Sequence, residues 1–152
     1  MPVQTPCLWF DDQAEQAAEF YTSIFPNSAI TSVRRNTDGT LVVEWTLDGQ
    51  PYQALNGGPG QSFSWAVSFS VSCADQAEVD HYWDALSEGG EESMCGWLKD
   101  RFGLFWQIVP TRLVELVSDP DPQRAERATQ AMLGMRKIIV AELERAADAV
   151  PA

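Results

Sequence analysis

The chain has 152 residues, is 45% hydrophobic, and carries 10 Lys and Arg against 22 Asp and Glu, a formal net charge of -12. That length suits one domain whose core needs no disulfide or metal staple, and the composition excludes wholesale disorder. The acidity argues against general nucleic-acid or anionic-membrane binding, because such a surface repels phosphate. No apolar run approaches the roughly 18 residues of a membrane span. The opening MPVQTPCLWF has no basic segment ahead of a long apolar core, so no secretory leader is expected. The three cysteines, Cys7, Cys73 and Cys95, form no close pair, which points to a reducing, cytoplasmic setting. His81 is the single histidine and leaves one ordinary imidazole for catalysis.

Residues 6–10 form a short apolar run that suits a strand. Asp11 and Asp12 offer an N-cap, and Glu15 stands three residues after Asp12, as in a capping box. Ala14, Ala17, Ala18, Tyr21, Ile24 and Phe25 follow at helical spacing, closed by Pro26 and Asn27. Asp38-Gly39 and Asp48-Gly49 predict hairpin turns. Between them Leu41, Val43, Trp45 and Leu47 alternate with less apolar positions, a half-buried strand. A third strand is expected over 52–56, before Gly57-Gly58-Pro59-Gly60. The order then repeats. Trp65, Val67, Phe69, Val71 and Cys73 alternate with Ala66, Ser68, Ser70 and Ser72, which predicts a strand over 65–73 with the large residues packed on helices. A helix is expected over 76–88 with Val79, Tyr82, Trp83 and Leu86 on one face, then short strands near 93–95, 96–99 and 104–109.

In the tail, Asp121-Pro122 places proline at a helix N1 position after an Asp cap, and Ala125, Ala128, Met132 and Met135 keep helical spacing. A last helix is expected over 140–147. Residues 1–111 hold 4 Lys and Arg and 15 Asp and Glu; the rest hold 6 and 7, so the acidity belongs to the first part and the tail reads as an appendage. The expected fold class is α+β: two paired β-α-β-β-β modules, about 4–58 and 63–110 within 1–112, with a C-terminal helical extension over 113–152 in the same structural domain.

Four stretches carry a resemblance. They are Leu8-Trp9-Phe10-Asp11 leading to Phe20-Tyr21 and Ile24-Phe25-Pro26; Ala54-Leu55-Asn56-Gly57-Gly58-Pro59; Cys95-Gly96-Trp97-Leu98-Lys99-Asp100; and Phe102 through Pro110. Together they resemble the PhnB-like branch of the vicinal oxygen chelate superfamily, often labelled a 3-demethylubiquinone 3-methyltransferase domain, over residues about 5–140. The resemblance implies that the two modules form a shared cleft and that the protein is a homodimer. Metal enzymes of the superfamily take ligands from the first and last strands of each module. Here those positions fall near Thr5, at Gln53 or Asn56, at Ala66 and at Gln107. Neutral amides are weak ligands and alanine is none, so no transition metal and no cofactor is expected. For methyl transfer, Gly57-Gly58-Pro59-Gly60 is the one Gly-rich stretch. It leads toward a strand rather than a helix and is interrupted by proline, unlike a cofactor-binding turn.

The residues expected to line the cleft are Trp9, Asn56, Ser68, Ser70, Trp97, Lys99 and Gln107. Gln107 either orients a ligand or bonds a neighbouring strand. Lys99 and Arg101 either receive an anionic group or pair with Asp100 or Glu91. Cys95 precedes Gly96-Trp97-Leu98-Lys99 and is either a packed thiol or a nucleophile. His81 is expected on the outer or edge face of its helix. Met132, Leu133 and Met135 cover core or a dimer contact. Two functions follow. One is a metal-free small-molecule binding protein whose ligand is cationic or aromatic, suited to the acidic field and to stacking on Trp9 and Trp97. The other is an isomerase, lyase or transferase on the same scaffold. Its catalytic residues are unknown.

Overall fold

A computed structural model describes residues 1–39 and 41–150; the end of the expected extension, 151–152, lies outside the described residues. The chain divides into two compact units, Met1–Ser62 and Phe63–Ala152. The first contains β1 (Cys7–Phe10), α1 (Ala14–Ile24), β2 (Ala29–Arg35), β3 (Leu41–Leu47) and β4 (Gln50–Asn56). The second contains β5 (Phe69–Cys73), α2 (Gln76–Ser87), β6 (Glu91–Glu92), β7 (Trp97–Lys99) and β8 (Phe105–Pro110). It continues through α3 (Thr111–Val117), α4 (Pro122–Leu133) and α5 (Val140–Asp148). The two sheets have the same strand order, β1-β4-β3-β2 and β5-β8-β7-β6. In each, the first strand runs parallel to the last and the remaining pairs are antiparallel. The fold is therefore α+β, two β-α-β-β-β modules followed by helices.

In the first unit the alternation of β3 works as its sequence implies: Leu41, Val43, Trp45 and Leu47 are all buried. They share a face with Ala14, Ala17, Ala18, Tyr21 and Ile24 of α1 in the core. The start of α1 differs from expectation. Its N-cap is Gln13, and neither Asp12 nor Glu15 forms a capping box. The Asn56 side-chain carbonyl instead accepts the Ala14 N–H at 2.8 Å. A residue 42 positions away thus satisfies one of the helix's orphan donors.

In the second unit α2 is capped locally. Asp75 accepts the Glu78 N–H at 3.0 Å, and Glu78 accepts the Ala74 N–H at 2.9 Å. Its buried residues Val79, Trp83 and Leu86 meet the sheet. Two strand expectations are corrected. Residues 65–67 form a turn, so β5 begins only at Phe69. Trp65 and Val67 are accordingly 48% and 67% exposed and do not pack on helices. The expected strand at 93–95 is also a turn, because Cys95 adopts a left-handed φ of 60°; the strand lies at Glu91–Glu92 instead.

The helical tail is part of the second unit's core. Helix α3, which the sequence reading did not anticipate, buries Leu113 and Leu116 with Ala128, Met135, Ile138, Leu143 and Ala147. The segment between α4 and α5 acts as a strap. Cys95 and Gly96 donate their N–H groups to the Met135 and Arg136 carbonyls at 2.7 and 2.8 Å. Gln76 donates to the Ile138 carbonyl at 3.0 Å and accepts the Val140 N–H at 2.8 Å. Lys137 lies 3.2 Å from both Asp80 and Asp84. Gly96 is required here twice over. Its φ is 82°, and a Cβ would stand 2.8 Å from the Ile108 carbonyl and 3.1 Å from Ile138.

Candidate functional site

Five of the seven expected site residues belong to one side of the second sheet. Ser70 pairs with Gln107, and Gln107 pairs with Trp97, so these three share a face across β5, β8 and β7. Two positions along, Lys99 pairs with Phe105 on that face, and Glu91 pairs with Lys99. Ser68, just before β5, joins them through its hydroxyl, which accepts the Gln107 Nε2–H at 3.0 Å. The opposite face, with Leu98, Trp106, Ile108 and Cys73, is buried. Burial, with Glu78 and Asp75 next, pushes the Cys73 thiol up to about 11, so it is a packing residue rather than a nucleophile.

Sequence reasoning missed two residues of this face. Phe105 stands two positions from Gln107, so the strand alternation could have found it. Trp65 could not be found that way, because it belongs to the turn before β5. Its ring lies 4.0 Å from the Phe105 ring and 5.8 Å, edge-on, from Trp97. The Lys99 ammonium sits 6.0 Å from the Phe105 centroid, at the outer range of a cation–π contact. Among the described residues Lys99 makes no ion pair, and neither the Trp65 nor the Trp97 indole N–H has a hydrogen-bond acceptor.

Trp9 and Asn56 belong to the first unit, on opposite sides of its sheet. Trp9 pairs with Leu55, whereas Asn56 pairs with the buried Phe10 and serves as the cap of α1. Trp9 is 41% exposed, donates its indole N–H to the Gly58 carbonyl at 3.0 Å, and covers Gly57. A Cβ on Gly57 would fall 2.3 Å from the Trp9 ring, which explains glycine there. Beyond Gly60 the chain runs into coil and a turn, not a helix, so this stretch lacks the strand-to-helix geometry of a nucleotide cradle.

Around the β7–β8 turn, Asp100 is only 2% exposed. Its carboxylate accepts the Phe102 and Leu104 N–H groups at 2.8 and 3.0 Å and the Trp106 indole N–H at 2.9 Å. Arg101 lies instead against Glu88, 3.7 Å from its carboxylate and 3.1 Å from its carbonyl. A depression of about 400 Å³ is lined by Gly89, Gly90 and Glu91 with Lys99 through Gly103. His81 is exposed on α2, edge-on to Tyr82 at 4.8 Å. Cys95 is half-buried in its turn, and Met135 is buried in the tail core.

The donor set does not fit the metal that the fold suggests. Among the described residues no group of three or more His, Cys, Asp and Glu could hold a metal ion. Gln107 is engaged with Ser68, Ala66 falls in the turn, and Thr5 precedes β1. Neutral amide and hydroxyl oxygens of this kind hold transition metals weakly.

The family model described as 3-demethylubiquinone-9 3-methyltransferase matches residues 2–109, ending before the tail helices. Among solved structures, the PhnB protein from Bacillus cereus is 30% identical, with a TM-score of 0.65 over 72% of this chain and 99% of that one. Protein PA1353 from Pseudomonas aeruginosa is 17% identical, with a TM-score of 0.61 over 72% and 98%. The fosfomycin resistance protein FosX from Listeria monocytogenes, complexed with Mn(II) and sulfate, is 15% identical, with a TM-score of 0.54 over 70% and 89%. The last two show likeness of fold alone. A comparison with curated proteins gave no match. The extent of the family match and the likeness to the Bacillus cereus protein agree: this chain belongs to the 3-demethylubiquinone-9 3-methyltransferase family, the PhnB-like branch of the vicinal oxygen chelate superfamily.

Proposed function

We propose that the chain binds an aromatic small molecule, without a metal, on the open face of the second sheet, and that it works as a homodimer in the cytoplasm. The observation that carries this reading is the grouping of Trp65, Trp97 and Phe105 beside Gln107, Ser68 and Ser70. Rings give a flat ligand area at small entropic cost, and a few placed polar groups fix its orientation. The donor chemistry supports a site that does not depend on a metal. Methyl transfer, the activity in the family's name, finds no cofactor cradle at Gly57–Gly60 to support it.

Titrating the full chain with a neutral bicyclic arene, naphthalenemethanol, should change tryptophan emission saturably. Trp97→Leu should weaken that response roughly fivefold, the scale of one ring–ring contact. A linear, unsaturable response, or a Trp97→Leu variant that binds as well as the parent, rejects the face as a site. Elemental analysis after mild chelation should find no stoichiometric Zn, Ni, Fe or Mn. About one metal per chain would reject the metal-free part.

A further inference from the structure

Whole-chain charge and local charge point to opposite ligands. The net charge of -12 favours a cation at long range. On the face itself, the cation nearest the rings is Lys99, and it lacks an ion-pair partner among the described residues. The carboxylate opposite it belongs to Glu91 on β6, which is exposed and is not within ion-pair distance of Lys99. Arg101, in the adjoining turn, is turned to Glu88, and the Asp100 carboxylate is buried among backbone and indole donors. The face is thus rich in unspent donors: the Lys99 ammonium, two indole N–H groups and the exposed Ser70 hydroxyl.

Resting on the binding site proposed above, we infer that the ligand is an aromatic anion: a flat ring system that lies against Trp65 and Trp97 and carries a carboxylate or similar group directed to Lys99. A neutral arene would leave the ammonium uncompensated as water is displaced from the face. A cation would bring like charge to it. An aryl carboxylate converts it into a charge-assisted hydrogen bond, the stronger kind. The Gln107 amide oxygen and the Glu91 carboxylate are the acceptors nearby, and only Glu91 opposes the anion by charge.

Calorimetry on the full chain tests this with three ligands of one ring system: naphthoate, naphthalenemethanol and naphthylmethylammonium. Naphthoate should bind tightest. Lys99→Met should weaken naphthoate roughly fivefold, the scale of one half-exposed charge contact, while naphthalenemethanol binds no more weakly than to the parent. Lys99→Arg should keep the anion preference, and Glu91→Gln should strengthen it. Circular dichroism establishes that each variant is folded. If naphthalenemethanol binds through Trp97 but naphthoate binds no tighter, the anion inference is overturned and the site survives. Tighter naphthoate binding that Lys99→Met leaves intact also overturns the inference. If none of the three binds, the site itself falls.

Discussion

Asp100 shows how one side chain can hold a turn. At the β7–β8 connection a single carboxylate accepts the Phe102 and Leu104 N–H groups and the Trp106 indole N–H. Replacing it by alanine strands three donors, two of them in buried bonds. Each unsatisfied buried group costs about 1–3 kcal/mol, so Asp100→Ala should lower stability by roughly 3 kcal/mol or more. Urea unfolding measures it; a change below about 1 kcal/mol would show that water replaces the carboxylate. Because the same turn carries Lys99 and leads into Phe105, the variant should also loosen the aromatic face. In the sequence Asp100 looked like a partner for neighbouring cations. Its role depends on a tight turn that folds its carboxylate back on its own backbone, which no spacing rule displays.

At the scale of elements, legibility follows the range of the forces involved. Strand β3 was readable because burial on one face leaves a period of two in Leu41, Val43, Trp45 and Leu47. The same alternation misled at Trp65 and Val67, which lie in the turn before β5 begins. Helix α3 was missed because the chain passes from β8 into it at Pro110 with no loop between. The cap of α1 by Asn56 was unreadable because its two halves meet only after β4 joins β1. The strap over residues 134–139 was hidden for the same reason, and it turns the supposed appendage into core. Deleting residues after Gly134 should therefore destabilise the second unit, since Gly96, Cys95 and Gln76 lose backbone partners and buried Ile138 is removed. Hydrogen exchange should show the loss over α2 and β7; unchanged protection there would reject the strap. Its ion pair has a defined pH behaviour. The Gln76 hydrogen bond, then Lys137, hold the Asp80 carboxyl below its ordinary value. A lowered folded pKa adds stability above the ordinary carboxylate range and loses it as pH falls through the lowered value. Lys137→Met should then cost a small amount of stability near neutrality, and the gap from the parent should shrink below about pH 4.

For the molecule as a whole, the family was accessible from four short stretches of sequence, and the order of elements in the two modules from hydrophobic spacing and turn signals. The site was accessible only in part. Residues sharing a strand with an identified position could be listed by alternation, whereas Trp65 and the division of duties between Trp9 and Asn56 required the fold. The tail of net charge -1 lets copies approach despite the acidic modules, and Leu133 and Val114 remain exposed on its helices. A homodimer burying at least about 1,200 Å² is the expected assembly. Sedimentation of the full chain at tens of micromolar should show it, and a monomer there rejects it. Leu133→Glu should weaken the association if that helix face takes part. Should the mutant remain dimeric, the contact lies elsewhere.

The parallel pairing of first strand with last also sets an order of events during synthesis. β1 emerges first but has no strand to join until β4, some 40 residues later, has been made. The strand pairings of the first unit, among the described residues, need nothing beyond Asn56. The second unit differs. β5 waits for β8, and the Cys95–Gly96 turn then waits for Met135 and Arg136. The turn that leads into the Trp97 side of the aromatic face therefore waits for residues well beyond the last strand of its own sheet. A product truncated before Met135 would lack the acceptors of the Cys95 and Gly96 N–H groups.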